Sequence, residues 1–353
     1  MQTKLVVLEN QEQKKTVLQE ATQILQEGGL VAFPTETVYG LGADGLNSEA
    51  AAKIYAAKGR PSDNPLILHI ADFETVNTLA EGISEDAWKV METFWPGPLT
   101  IILKKKEIVP YGTTGGLDTV AIRMPSHPVA RELIRVSKIA IAAPSANTSG
   151  RPSPTTAQHV MQDLDGKIEM ILDGGKVGIG IESTIVDMTR EEPMILRPGY
   201  VTKPMLEEVI GKKVAIDPAI LSKEGMEGIR PKAPGMKYKH YAPKGDLSIV
   251  TGEQMEKVIE KINELVEEKI KEGYKVGIIA TDETIKQYKN GTVKSIGSRA
   301  DEVSISGGLY SILREFDDEE IDFIYSEGFE QDDFGQAIMN RLLKAAGYTM
   351  IKV

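Results

Sequence analysis

The chain has 353 residues, of which 41% are hydrophobic, 26% charged and 6% aromatic. These are values of a folded protein of two or three domains rather than a disordered or fibrous one. A net charge of −11 makes it globally a poor match to a polyanion. The absence of cysteine excludes disulfides, thiolate metal sites, iron–sulfur clusters and cysteine nucleophiles. No apolar run is long enough for a membrane helix, and the apolar stretch near the N-terminus is too short for a signal peptide, so a cytoplasmic location is expected.

The first two hundred residues alternate helical and strand-like patterns. Val17, Leu18, Ala21, Ile24 and Leu25 follow helical spacing, and Leu30 to Phe33 reads as a strand. Ala51, Ile54, Tyr55 and Lys58 mark the next helix, with Asn47 or Ser48 as N-cap and Gly59 as its stop. Strands are then predicted at Leu66 to Ile70, Leu99 to Leu103, Val120 to Arg123 and Ile139 to Ala143. Between Ser222 and Lys244 six basic residues face only two acids, in a segment holding Pro234-Gly-Met-Lys-Tyr-Lys-His-Tyr-Ala-Pro243. This is either a basic linker docked on an acidic surface or a segment that touches a ligand. The last hundred residues alternate strands at Leu247 to Val250, Val276 to Ala280 and Ile321 to Tyr325 with amphipathic helices. One helix is marked by Met255, Val258, Ile259, Ile262, Leu265, Val266 and Ile270, the other by Leu309, Ile312, Leu313 and Phe316. That alternation predicts a small α/β domain with a mostly parallel sheet.

Several motifs bear on chemistry. Gly40-Leu-Gly-Ala-Asp-Gly45 has the spacing of a dinucleotide fingerprint, but six residues separate it from the preceding strand. The fingerprint requires glycines directly after the strand, so a tight glycine turn is the simpler reading. There is no phosphate loop of the G-x-x-x-x-G-K-[ST] type, no H-E-x-x-H and no G-x-S-x-G, and the four histidines lack metal-site spacing. Lys58-Gly-Arg-Pro-Ser-Asp-Asn-Pro65 ends a helix with two cations, either a phosphate clamp or simple capping by positive charge. Ala143-Pro-Ser-Ala-Asn-Thr-Ser-Gly-Arg-Pro152 follows a strand and offers hydroxyls, an amide and Arg151 where open α/β sheets bind ligands; an ordinary polar loop has the same composition. Arg123 follows a strand, Ser183 and Thr184 start one, and Arg197 lies in Leu196-Arg-Pro-Gly199, although each arginine alone is more often a surface salt bridge. Together these loops point to a converging anion site.

The chain resembles the long, two-domain form of the YrdC-type threonylcarbamoyl-AMP synthases. The runs that carry the resemblance are Phe33-Pro-Thr-Glu-Thr-Val-Tyr-Gly-Leu-Gly42, Lys58 to Pro65, Phe94-Trp-Pro-Gly-Pro-Leu-Thr100, Ala121-Ile-Arg-Met-Pro125, Ala143 to Asn147, Glu182-Ser-Thr184, Leu196-Arg-Pro-Gly199 and the linker Pro234 to Pro243. Gly307-Gly-Leu-Tyr310 and Ala337-Ile-Met-Asn-Arg-Leu342 extend it through the C-terminal region, so it covers nearly the whole chain. One departure is Ala233, where the family pattern leads us to expect Ser.

The resemblance implies an α/β protein. A YrdC-like catalytic domain at 1–205 would have a twisted mixed sheet around a deep basic cavity. A linker or lid would follow at 206–244, then a small Rossmann-like domain at 245–353. It also implies that L-threonine, bicarbonate or CO2, and ATP become threonylcarbamoyl-AMP and pyrophosphate, with Mg²⁺ accompanying ATP. The product would pass to proteins that modify tRNA. Lys58 and Arg60 would be catalytic over the phosphates. Asn64, Thr119, Ser145, Asn147, Arg151, Arg197 and the linker tyrosines Tyr238 and Tyr241 would join them at ATP. Thr35, Thr37, His69, Arg123, Ala143 and Ser183 would surround threonine. No metal ligand is assignable. An RNA-binding module without adenylate synthesis is the alternative reading, and carbamoyl transfer from carbamoyl phosphate a third.

Overall fold

The computed structural model describes residues 2–8, 11–220, 240–330 and 333–353; most of the predicted basic linker, Tyr238 included, lies outside them. The chain divides into two units. One comprises Met1–Ser149, Ser153–Gly178 and Glu182–Lys237; the other comprises Gly150–Pro152, Ile179–Ile181 and Tyr238–Val353.

The strands of the first unit are β1 (Lys4–Val7), β2 (Val31–Phe33), β3 (Gly40–Asp44), β4 (Ile67–His69), β5 (Ala80–Glu81) and β6 (Leu99–Lys105). They continue with β7 (Thr119–Arg123), β8 (Ile141–Ala142), β9 (Met170–Asp173), β10 (Thr184–Asp187), β11 (Met194–Arg197) and β12 (Ala215–Ile216). The helices are α1 (Gln11–Gln26), α2 (Ser48–Lys58), α3 (Glu74–Leu79), α4 (Glu85–Phe94), α5 (Tyr111–Thr114), α6 (Pro128–Ser137), α7 (Ala157–Leu164) and α8 (Lys203–Ile210). The strands form one mixed sheet in the order β1-β9-β2-β3-β8-β4-β7-β6-β10-β11-β12, with β5 paired to β6.

Alternation along the central strands divides core from site. Leu68, Val120, Ile122, Leu99, Ile101, Leu103 and Val186 point to one face and join the main core with residues of α2, α4, α7 and α8. On the other face, α1 and α6 pack over Val31, Phe33, Ile141, Met170 and Leu172. Farther along that second face lie a small apolar cluster of Ile67, Ile102, Ala121, Ile185 and Leu196 and a set of buried polar side chains.

Local chemistry sets the helix that leads into the site. The Asn47 side chain accepts from the N–H groups of Glu49 and Ala50 at 2.9 and 3.2 Å, so Asn47 rather than Ser48 is the N-cap of α2, an interaction worth about 1 kcal/mol. Gly59 closes the helix in the left-handed conformation at φ 62°, where a Cβ would be strained. Lys58 is therefore the last residue of a firmly stopped helix.

The glycine pattern at 40–45 is mostly strand, with a turn only from Gly45. Its first five residues are strand β3. A Cβ on Gly42 would lie 2.7 Å from Phe33 and 2.8 Å from Ile141, and one on Gly45 would lie 2.2 Å from Leu68. These glycines make room for neighbouring side chains, which accounts for the spacing without a nucleotide.

The second unit contains β13 (Asp246–Thr251), α9 (Met255–Lys271), β14 (Val276–Ala280), β15 (Thr292–Ser295), α10 (Glu302–Asp318), β16 (Phe323–Glu327), α11 (Asp333–Ala345) and β17 (Met350–Lys352). The sheet order is β15-β14-β16-β13-β17 and every pairing is parallel. Among the described residues, no helix is long and apolar enough to cross a membrane.

Candidate active site

The strand register assembles the core of the site. His69 on β4 pairs with Arg123 on β7, and Arg123 pairs with Thr100 on β6. Directly paired residues share a face, so an imidazole, a guanidinium and a hydroxyl stand in a row across three adjacent strands. All three are buried.

Arg123 is held by Thr37 and by the charge of Glu36. Its Nη1 donates to Thr37 Oγ1 at 2.9 Å, and Thr37 Oγ1 lies 2.8 Å from Thr35 Oγ1. Thr35 in turn donates to the carbonyl of Val38 at 2.6 Å. Arg123 Nη2 sits 2.7 Å from Glu36 Oε1, yet neither Nη2 nor Nε makes a hydrogen bond within the described residues. The contact is an ion pair without hydrogen-bond alignment. Nη2, on the two-donor edge that carboxylates take side-on, is thus engaged by the Glu36 charge, while Nε on the same edge has no hydrogen-bond partner among the described residues.

His69 Nδ1 lies 3.0 Å from the carbonyl of Ile67. A carbonyl only accepts, so Nδ1 carries the proton in that contact. Burial, together with the nearby Arg123 charge, lowers the His69 pKa to about 3, which keeps the ring neutral near pH 7.

Beyond Thr100 the row continues through Ser183, just before β10. Thr100 Oγ1 and Ser183 Oγ are 2.8 Å apart. Arg197, the last residue of β11, donates from Nε to the Ser183 carbonyl at 2.9 Å and from Nη2 to Ser183 Oγ at 3.1 Å. Gly199 lets this turn close: a Cβ there would be 2.5 Å from the Thr184 nitrogen.

The 143–149 loop flanks this row. The Ala143 nitrogen donates to the Ile67 carbonyl at 2.9 Å, and Ser145 bridges to Gly40. Lys58 reaches into the loop from the end of α2. Its ammonium donates to the Ser145 carbonyl at 2.5 Å and to the Asn147 carbonyl, and the Ser149 nitrogen returns a bond to the Lys58 carbonyl at 2.8 Å. Ser145 Oγ donates to Asn147 Oδ1 at 2.5 Å. Arg60 bonds the carbonyls of Asn64 and Pro65, its Nη2 at 3.4 and 3.2 Å. Asn64 is buried, with an Oδ1 that has no hydrogen-bond partner among the described residues.

The structure thus brings Thr35, Thr37, His69, Arg123, Ser183 and Arg197 into one polar row, with Ala143 held against β4 beside it. Lys58, Ser145 and Asn147 form a bonded loop, and Arg60 with Asn64 a separate small turn. Thr119 shares the Arg123 face of β7 but opens the strand, opposite Lys104, roughly 13 Å along it. Arg151 and Tyr241 belong to the second unit. There Arg151 Nη2 lies 3.5 Å from Asp317 Oδ2, and Tyr241 stacks on Tyr310 with centroids 5.2 Å apart.

Two contributors escaped the sequence reading. Glu36 lies inside the Phe33–Gly42 run and Thr100 closes the Phe94–Thr100 run. The available signals were an acid flanked by two threonines after a strand, and a hydroxyl at an inward position of an apolar strand. Among the described residues no group of three or more His, Asp or Glu is placed to hold a metal ion. The donor set is cationic and hydroxylic, suited to carboxylate and phosphate oxygens.

The first unit carries a mixed sheet with a buried guanidinium–hydroxyl row, and the second is an all-parallel α/β unit, which together define a two-unit α/β protein. The Sua5/YciO/YrdC family model, described as telomere recombination, matches residues 23–199. A second model, described as the C-terminal domain of threonylcarbamoyl-AMP synthase, matches residues 201–347. The threonylcarbamoyl-AMP synthase of Pyrococcus abyssi is 50% identical over 94% of this chain and 95% of its own length. That of Bacillus subtilis is 48% identical, covering 94% of each chain. The crystal structure of P. abyssi Sua5 complexed with L-threonine superposes with a TM-score of 0.92 at 47% identity, over 100% of both chains. The chain belongs to the threonylcarbamoyl-AMP synthase family.

Proposed function

We propose that this protein makes L-threonylcarbamoyl-AMP and pyrophosphate from L-threonine, bicarbonate or CO2, and ATP. The observation that carries the reading is buried Arg123, whose Nε has no hydrogen-bond partner among the described residues, in a chain about half identical to synthases over 94% of its length. An aligned guanidinium edge is a bidentate carboxylate receptor, and threonine's carboxylate fits it. Thr35, Thr37, neutral His69, the Ala143 backbone and Ser183 would line the rest of the amino-acid site. A hydroxyl read by buried polar groups discriminates strongly against substrates that lack it.

In this reading the threonine amine adds to CO2, losing a proton. The carbamate oxygen then attacks the α-phosphorus of ATP, and pyrophosphate leaves. The nucleophile comes from the substrates, so the protein's task is positioning and charge stabilisation. Ser145 and Asn147 would hold the nucleotide on the loop that Lys58 fastens. Arg60, Asn64, Thr119, Arg151, Arg197, Tyr238 and Tyr241 would contribute further contacts. Mg²⁺ would travel with the triphosphate, neutralising charge on the departing pyrophosphate. We place the reaction in the cytoplasm, its product consumed by the proteins that modify tRNA.

The test is pyrophosphate release from Mg-ATP, L-threonine and labelled bicarbonate. Release that requires both threonine and bicarbonate, with label in an adenylate, is expected. Turnover independent of threonine would overturn the reading.

A further inference from the structure

Glu36 has no place in the roles above, although it is ion-paired with Arg123. Its Oε2 accepts from the Ser126 nitrogen at 3.1 Å, which fixes the carboxylate. Its Oε1 faces Arg123 Nη2 at 2.7 Å, but has no hydrogen bond among the described residues and is sealed from solvent. Its compensation is therefore the Arg123 charge alone, in a buried ion pair. Beside it, Arg123 Nε has no hydrogen-bond partner among the described residues. A carboxylate oxygen and a guanidinium edge therefore stand side by side as a buried ion pair, with one donor, Nε, still unmatched among the described residues.

That pair is complementary to one class of molecule. An α-amino acid carries a carboxylate and an ammonium on a single carbon, so its charges are separated by about the spacing of the two protein groups. The Glu36–Arg123 pair is neutral overall and accepts a neutral zwitterion without adding net charge to a buried site. A carboxylate lacking the ammonium would bring a second negative charge beside Glu36, with nothing to offset it. We propose that Glu36 is a specificity-determining residue that receives the substrate's α-ammonium while Arg123 receives its carboxylate. The pair then selects amino acids over the corresponding hydroxy acids. This inference rests on Arg123 being the carboxylate receptor.

The experiment is calorimetric titration of the full chain with L-threonine and with 2,3-dihydroxybutanoate, in which a hydroxyl replaces the amine. Wild type, Glu36→Gln and Arg123→Ala are compared, with melting temperatures confirming that each variant is folded. Wild type should prefer threonine. Glu36→Gln should weaken threonine roughly 10- to 100-fold, as expected when one partner of a buried charged contact is removed, and leave dihydroxybutanoate unchanged or tighter, so that the preference collapses. Equal weakening of both ligands would mean that Glu36 merely supports Arg123, and unchanged threonine affinity would mean that it does not meet the substrate; either overturns the proposal. Loss of threonine binding in wild type, or its retention in Arg123→Ala, would instead overturn the carboxylate assignment beneath it.

Discussion

The Lys58 ammonium donates to the main-chain carbonyl of Ser145, 87 residues away in sequence, and so ties the end of α2 to the loop after β8. From sequence alone Lys58→Ala is a purely chemical lesion. The structure adds a second effect, because truncation leaves the carbonyls of Ser145 and Asn147 without a buried charged donor. Lys58→Ala should lower pyrophosphate release by roughly 100-fold or more, the scale of losing a preorganised charged group. It should also destabilise the fold by about 1–3 kcal/mol. Paired activity and urea-denaturation measurements check both; a fully active or equally stable variant contradicts the assignment.

His69 makes stability depend on pH in a definite direction. Its folded pKa is lowered to about 3, against about 6.5 in an unfolded chain. Between those values the unfolded state binds the extra proton. The contribution is complete above pH 6.5 and fades as pH falls toward 3, with a slope near 1.4 kcal/mol per pH unit from this group. His69→Gln should flatten that part of the stability profile, as read by denaturant titration from pH 7 to pH 4.

Thr100 supports Ser183 through its hydroxyl. Thr100→Val keeps the shape and removes that partner, while Arg197 still donates to Ser183. A loss of about 1 kcal/mol is expected, seen as a several-fold rise in the KM for threonine with the KM for ATP little changed. Equal shifts in both constants would show that Thr100 is not specific to the amino-acid side.

Gly42 separates packing from nucleotide binding. Gly42→Ala drives a methyl against Phe33 and Ile141 and should cost about 1–3 kcal/mol of stability. ATP affinity of the folded protein should be preserved, because β3 is packing rather than a phosphate cradle. A selective loss of ATP binding would revive the fingerprint reading.

The central strands were legible because their apolar runs are short, bounded and mostly β-branched or leucine-rich. The predicted Leu99–Leu103 and Val120–Arg123 runs differ from β6 and β7 only at their ends. β3 was missed since two of its five residues are glycines, which depress strand propensity while packing demands them. Short strands such as β5 and β12, of two residues each, leave no periodic signal. Within the site, Arg123 and Ser183 stood out as polar residues at strand ends. Glu36 and Thr100 did not, because their significance arises from pairing across distant segments, which one-dimensional spacing cannot reveal.

The face alternation of β4, β7 and β6 has a consequence for how this protein can change. His69, Arg123 and Thr100 are interleaved with Leu68, Ile122 and Ile101, so the same backbone that presents chemistry upward anchors the interior downward. A single-residue deletion within β7 would rotate Arg123 into hydrocarbon and Ile122 into the polar row. Substitution can tune this site one side chain at a time. Insertion and deletion cannot reshape it there without dismantling the fold, so length variation within the family should concentrate in the connecting loops and spare these three strands.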